Sequence, residues 1–307
     1  MRLDRFDLNL LVVLDVLLEE RNVTRAARRL HLGQSAASAA LARLRDYFGD
    51  ALLVPVGRKL TLTPLAQSLE QPVRDTLLKA RATIARKPEF DPSRAERSFR
   101  LIASDYVTTV MLGEPLRRIA EMAPRVRIDI RSPQAEVFEL FDRGNIDLLV
   151  MPGQYTARLK HPQQRWFEDD QVCMVWSGNP ALHGTMDFDQ YMAMGHIAVH
   201  LGDERSASFE EWFLPRYGKQ RRVEGSVDNF STLPLLVIGT QRIVTLHRRM
   251  ALHFARHLPL RLIDAPFEMP PVVEMLCWPG HLEHDPAHQW LRGVLLACAE
   301  PATASHV

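Results

Sequence analysis

Residues 24–45 read TRAARRLHLGQSAASAALARLR, two helical stretches broken at LHLGQ. The first crowds Arg25, Arg28 and Arg29 together, and the second is nearly bare of long side chains before Arg43. Within the second, Ala37, Leu41, Leu44 and Phe48 fall at i, i+4, i+7 and i+11, one face of a helix from about Ser35 to Phe48. The opposite face then carries Ser35, Ala39 and Ala42, flanked by Ser38 and Arg43. Short side chains let a helix backbone sit close to base edges in a major groove, where serine hydrogen-bonds several bases and alanine suits a thymine methyl. Arginines on the preceding helix, which in such motifs crosses the phosphate backbone, suit phosphate contact. The two helices differ because one is shaped for bases and the other for phosphates.

The flanks agree with that reading. Upstream, Asp7 can cap a helix running to about Glu20, with Leu10, Leu14, Leu17 and Leu18 on one face. Thr24 is expected to cap the arginine helix, which ends near Leu30, and Gly33 in HLGQ is free to take a left-handed conformation. Downstream, ALLVPVGRKLTLT (residues 51–63) reads as two short strands around Val56-Gly57-Arg58-Lys59, which places Arg58 and Lys59 at the tip of a wing. Three helices and a hairpin predict a winged helix-turn-helix over residues 1–63. Thr63 as cap and Pro64 in the first turn open a further helix. On it Leu65, Leu69, Val73, Leu77, Ala80 and Ile84 form an apolar seam, expected to join two chains. Pro72 lies inside that helix, and RKPEFDPSRAER (residues 86–97) is the best linker candidate.

Charge is distributed accordingly. The whole chain of 307 residues carries a formal net charge of only +1, but residues 1–90 hold 15 Lys/Arg against 10 Asp/Glu, and residues 21–59 hold 8 against 2. Cys173, Cys277 and Cys298 are far apart and form no CxxC pair, so neither a disulfide framework nor a thiolate zinc site is expected, and a reducing cytoplasm is the simplest setting. The apolar opening LNLLVVLDVLL is interrupted by Asp15 and suits an amphipathic helix better than a signal peptide, and no apolar run reaches the ~20 residues of a membrane span. Beyond residue 97 strands and helices alternate, predicting an α/β region large enough for two sub-domains.

The stretch FDLNLLVVLDVLLEERNVTRAARRLHLGQSAASAALARLRDYFGDALLV resembles the DNA-binding domain of LysR-type transcriptional regulators, and the resemblance continues to the C-terminus. It is most similar to the branch holding rhizobial nodulation regulators and regulators of aromatic degradation, through DLNLL, LRDYF, TPLA, FDP, YMAMGHIA, EEWF, RIVTL and DPAHQWLR. The resemblance implies groove or backbone contacts for Gln34, Ser35 and Ser38, with Arg43 nearby. Three positions depart from the family pattern: Gly33 replaces a capping serine, Val56 a frequent wing arginine, and Ala66 a common glycine. It further implies α/β with an all-α-plus-wing N-terminal domain: a winged helix-turn-helix, a linker helix at 64–96, and a periplasmic-binding-protein-like effector domain at 97–307. Sub-domain one would be 97–167 plus 268–307, and sub-domain two 168–267.

The implied function is a cytoplasmic DNA-binding regulator, an activator. It would act on double-stranded promoter DNA as a dimer of dimers, engage RNA polymerase and answer a small phenolic or chlorinated aromatic effector. Ligands of open α/β sheets collect at the carboxyl ends of strands. That places Ser104, Asp105 and Thr108 on one side of the effector cleft, with His196, Asn229, Phe230 and Ser231 implied on the other. Each has a bland reading too: Ser104 as a helix cap, His196 as a core histidine. An enzyme is the rival class, but GxSxG, GxGxxG and P-loop patterns are absent from the sequence. His281, His284 and His288 in HLEHDPAH lack HExxH spacing and read as a histidine-rich loop and helix start, so no catalysis, cofactor or metal is expected. A second rival is a ligand-binding module whose N-terminal helices serve assembly alone.

Overall fold

The computed structural model describes residues 6–57, 59–85, 90–182, 184–200 and 208–299, and the chain divides into two compact units, Met1–Arg86 and Lys87–Val307. The first unit runs α1 (Asn9–Glu20), α2 (Val23–Arg29), α3 (Gln34–Phe48), β1 (Leu53–Val56), β2 (Lys59–Leu62) and α4 (Pro64–Ala85). This is a winged helix-turn-helix followed by a long helix. Leu14, Leu17, Leu44 and Leu52 are fully buried at its centre, each contributing about 1.5–3 kcal/mol by leaving water. The wing is an antiparallel pair from Leu53↔Leu62 to Val56↔Lys59, turned by Gly57 at φ +61°.

Local chemistry corrects three expectations here. Asn22, not Thr24, caps α2, its side chain accepting the Arg25 N–H at 2.9 Å. The left-handed residue of the turn is His31 at φ +54°, whereas Gly33 is extended at φ −66° and supplies no side-chain cap to α3. The seam of α4 is divided. Ala66, Val73 and Leu77 are buried in the core shared with α1, while Leu65 and Ile84 face outward, Ile84 at 86% exposure. Thr63 does open α4: its hydroxyl accepts the Ala66 N–H at 3.1 Å and donates to Asp50 at 2.6 Å. The same Asp50 oxygen accepts the Leu52 N–H at 2.6 Å, holding this buried residue at φ +57°.

The second unit contains two five-stranded sheets. Sub-domain one is built from β3 (Ser98–Ile102), α5 (Asp105–Met111), α6 (Gly113–Met122), β4 (Arg127–Arg131), α7 (Val137–Asp142), β5 (Leu148–Pro152), α8 (Gly153–Thr156) and β6 (Gln163–Asp169). Sub-domain two follows as β7 (Gln171–Trp176), α9 (Phe188–Ala193), β8 (His196–Val199), α10 (Ser208–Tyr217), β9 (Val223–Val227), α11 (Leu233–Val237), β10 (Ile243–His247), α12 (Arg248–Ala255) and β11 (Leu260–Ile263). The chain then returns to sub-domain one as β12 (Val272–Cys277) and α13 (Pro286–Ala297). The strand orders are β4-β3-β5-β12-β6 and β11-β7-β10-β8-β9, so the chain crosses between the sheets twice, after Asp169 and after Ile263. One apolar cluster spans both, from Phe99, Leu148 and Leu276 to Ile197, Leu246 and Met250. Part of the expected linker belongs to this unit: the Phe90 ring sits 5.3 Å from that of Trp290.

Candidate DNA interface and effector cleft

On α3 the buried residues are Ala37, Leu41 and Leu44, and Gln34, Ser35, Ser38, Ala39 and Ala42 are all exposed. The small-residue face is therefore open to a partner along its length. Arg45 ties this helix to the wing, donating from Nε to the Ala51 carbonyl at 2.8 Å and from Nη2 to that of Leu53 at 2.9 Å. Arg43 reaches Asp7 at 3.4 Å and stays 60% exposed.

The α2 arginines are all exposed but not equivalent in their partners. Arg29 pairs with Glu19 at 2.9 Å and Glu20 at 3.1 Å, and Arg25 pairs with Glu20 at 3.2 Å and also donates to its carbonyl. Both brace α2 against the end of α1, where two carboxylates at a helix C-terminus oppose the helix dipole and need cations. Arg28 is exposed and has no ion pair among the described residues. Lys59 is exposed on the wing; Arg58 lies outside the described residues.

In the second unit α5 follows β3 at its carboxyl end, and each predicted side chain there already has work within the fold. Ser104 caps α5, accepting the Val107 N–H at 3.3 Å, and Thr108 donates to the Ser104 carbonyl at 3.0 Å. Asp105 reaches across to sub-domain two, accepting the backbone N–H of Phe230 at 3.1 Å and of Ser231 at 2.7 Å. Asn229 folds its own loop: its Oδ1 accepts the Thr232 N–H at 2.9 Å and the Ser231 hydroxyl at 3.3 Å. Ser104, Asp105, Thr108, Asn229, Phe230 and Ser231 are thus brought to one junction, all half-buried.

His196 is not among them, which corrects its assignment to the cleft. It has no exposed surface, its Nε2 donates to the Tyr191 carbonyl at 2.9 Å, and its Nδ1 lies 3.5 Å from the buried Arg221 guanidinium. Burial first, and Arg221 second, push its pKa down to about 3, so the ring is neutral. Arg221 also donates to the Tyr191 hydroxyl at 3.0 Å, completing a polar network inside sub-domain two.

The junction also holds residues that sequence reasoning missed. Tyr106 donates to Asp169 at 2.7 Å and stacks on His247, with ring centroids 3.7 Å apart and planes 9° from parallel. Phe230 stands edge-on to both rings. Asp169 also accepts the Arg249 N–H at 3.1 Å. Glu274, on β12 opposite Phe167, is buried with no hydrogen-bond partner for Oε2 among the described residues. Burial, and then Asp169, push its pKa up to about 8; burial pushes His247 down to about 3. At neutral pH Glu274 therefore keeps its proton and His247 is uncharged.

The histidines of HLEHDPAH do not converge. His288 is buried, with Nε2 at 2.8 Å from the Asp147 carbonyl and Nδ1 at 3.0 Å from Arg292. Among the described residues no three His, Cys, Asp or Glu side chains are grouped to hold a metal ion, and no helix is long and apolar enough to cross a membrane.

Residues 8–67 match the model of the bacterial regulatory helix-turn-helix protein, lysR family, and residues 92–299 match the LysR substrate binding domain. Among curated proteins the chain is 43% identical over 296 residues to nodulation protein D 2 of Rhizobium tropici, covering 96% of this chain and 94% of that one. It is 41% identical over 304 residues to nodulation protein D 1 of Mesorhizobium japonicum, covering 99% and 96%. Among solved structures, a probable transcriptional regulator from Pseudomonas aeruginosa superposes with a TM-score of 0.64 at 30% identity, covering 96% of this chain and 98% of that one. Full-length CbnR in complex with its target DNA superposes at 0.51 with 15% identity, covering 96% and 100%, a likeness of fold.

Proposed function

Since the chain belongs to the LysR family of bacterial transcriptional regulators, we propose that it is a cytoplasmic activator answering a small aromatic effector. It binds promoter DNA as a dimer of dimers and engages RNA polymerase there. The work divides among a DNA-binding head at 1–63, an association helix and hinge at 64–96, and an effector domain at 97–307. The observation that carries the DNA half is the exposed small-residue face of α3 beside Arg28, which has no ion pair among the described residues. Gln34, Ser35, Ser38 and Ala39 approach the bases, while Arg28, Lys59 and Arg58 meet phosphates and Arg43 stands at the edge of the groove.

The effector half is supported by the junction chemistry. The half-buried Ser104, Asp105 and Thr108 flank Tyr106 in sequence, the Tyr106 ring meets that of Phe230, and Asp105 bonds the Phe230 backbone, a grouping of polar and aromatic residues of the kind that suits a phenol. A ligand can switch the protein only if it binds one arrangement of the sub-domains better than another. A phenol that competes for Asp105 does so, because Asp105 joins the two. The test is a thermal-shift screen of phenols, salicylates, flavonoids and chlorinated hydroquinones on the full chain. A hit is followed by titration of DNA binding and transcription in Ser104→Ala and Thr108→Ala. Wild-type effector response in both variants would place the ligand elsewhere.

A further inference from the structure

A cavity of about 520 Å³ opens at the amino ends of β8, β9 and β10, the opposite end of that sheet from the junction. Its volume is within the about 300–1,000 Å³ of small-molecule pockets. Two arginines and one acid dominate its wall. The Arg242 Nε donates to Glu224 at 2.9 Å, and the Arg222 Nε lies 3.3 Å from the other oxygen of the same carboxylate. This grip holds the Glu224 carboxyl below its ordinary range. A Cβ at Gly195 would stand 2.4 Å from that carboxylate, so the glycine is what lets the acid lie between the two guanidinium groups.

Two cations share one anion here, and each guanidinium spends its Nε, leaving its terminal nitrogens without a protein partner among the described residues. One positive charge on the wall is uncompensated, in the fork geometry that matches a carboxylate. Ala193 and Met194 add apolar surface to the lining. Gln190 adds an amide whose oxygen is already taken by the Asp187 N–H at 2.9 Å, leaving its N–H donors. We propose that sub-domain two carries a second small-molecule site, separate from the effector cleft, that takes a small organic monocarboxylate. The carboxylate lies against Arg222 and Arg242, and a compact apolar body lies against Ala193 and Met194.

The test uses the full chain at low ionic strength with non-aromatic probes, so that the aromatic cleft does not answer for this site. Cyclohexanecarboxylate is titrated by calorimetry beside its neutral counterpart cyclohexanemethanol and inorganic phosphate. The expected result is saturable binding of one cyclohexanecarboxylate per chain, weakened about tenfold or more in Arg222→Gln and in Arg242→Gln as a charge-assisted hydrogen bond is lost. Ala193→Trp, at an exposed position, fills the cavity and abolishes binding. Wild-type thermal unfolding and circular dichroism in all three variants show that they fold. Absence of saturable binding, equal binding of the neutral alcohol or of phosphate, or wild-type affinity in both glutamine variants overturns the site.

Discussion

The Asp105 carboxylate accepts the backbone N–H of Ser231 at 2.7 Å although the two residues belong to different sub-domains. The neighbouring Phe230 N–H joins the same carboxylate, so one side chain fastens α5 to the loop before α11. Hydrogen bonds to a charged group are worth about 1.5–3 kcal/mol each, enough to bias the spacing of the sub-domains while remaining open to competition from a ligand.

Asp105→Ala loses both bonds and should therefore lower the stability of the second unit by about 3–6 kcal/mol and raise exchange at the Phe230 and Ser231 amides. Urea denaturation and hydrogen exchange measure the two effects. Full amide protection in the variant would show that the clamp does not hold in solution.

The arginines of α2 should separate by salt dependence. Arg28→Ala should reduce the slope of log Kobs against log salt by about one, the signature of one lost phosphate contact, at every DNA sequence tried. Arg29→Ala, losing an exposed brace to Glu19 and Glu20, should cost only about 0.2–1 kcal/mol of stability and leave the slope nearly unchanged. Fluorescence anisotropy across a salt series distinguishes them, and equal slopes in the two variants would reject the division of labour.

Association should be probed at Ile84 rather than Leu77. Leu77 is only 8% exposed within its own chain, so Leu77→Asp buries a charge and should unfold the first unit outright. Ile84→Asp changes a residue that is 86% exposed and should leave circular dichroism intact while shifting sedimentation toward smaller species. An unchanged oligomer in Ile84→Asp would remove this face of α4 from the interface.

Glu274 gives the pH prediction. Its pKa is raised in the folded state, so the native protein binds the extra proton. The stability this contributes is complete below the unfolded value near 4.5 and is lost as pH rises through about 8. His196 and His247, both depressed to about 3, act oppositely as pH falls below about 6.5, the ordinary histidine value. The difference between wild type and Glu274→Gln isolates the carboxyl. The variant should gain on wild type by a few kcal/mol between pH 5 and 8, read by chemical denaturation at each pH. A difference independent of pH would mean that Glu274 titrates normally.

Periodicity revealed the outer face of α3 because a helix packed on one side writes its burial into a 3.6-residue repeat. The wing was legible in the same way, from short alternating runs around Gly57. The seam on α4 was legible as a pattern but not as an interface, since spacing cannot tell whether Val73 and Leu77 meet α1 or another chain. That His31 and not Gly33 is the left-handed residue is not legible in the sequence, because glycine permits that conformation without requiring it. The junction is less legible still. Tyr106, Asp169, His247 and Glu274 lie on α5, β6, β10 and β12, and nothing local in sequence marks residues that tertiary folding alone assembles. Arg221, which claims His196 for the core, is hidden for the same reason.

The order of strands also sets a timetable for synthesis. β6 is held in its sheet only through β12, which is inserted between β5 and β6. When β6 has left the ribosome, the whole of sub-domain two must still be made before β12 appears, roughly a hundred residues later. At the ~5–20 residues per second of translation, the nascent chain carries β5 with an open edge and β6 with no partner for several seconds. Bare strand edges are templates for pairing with other chains. The double crossing that lets two lobes share a junction thus leaves the newborn protein with an open strand edge until Cys277 has emerged.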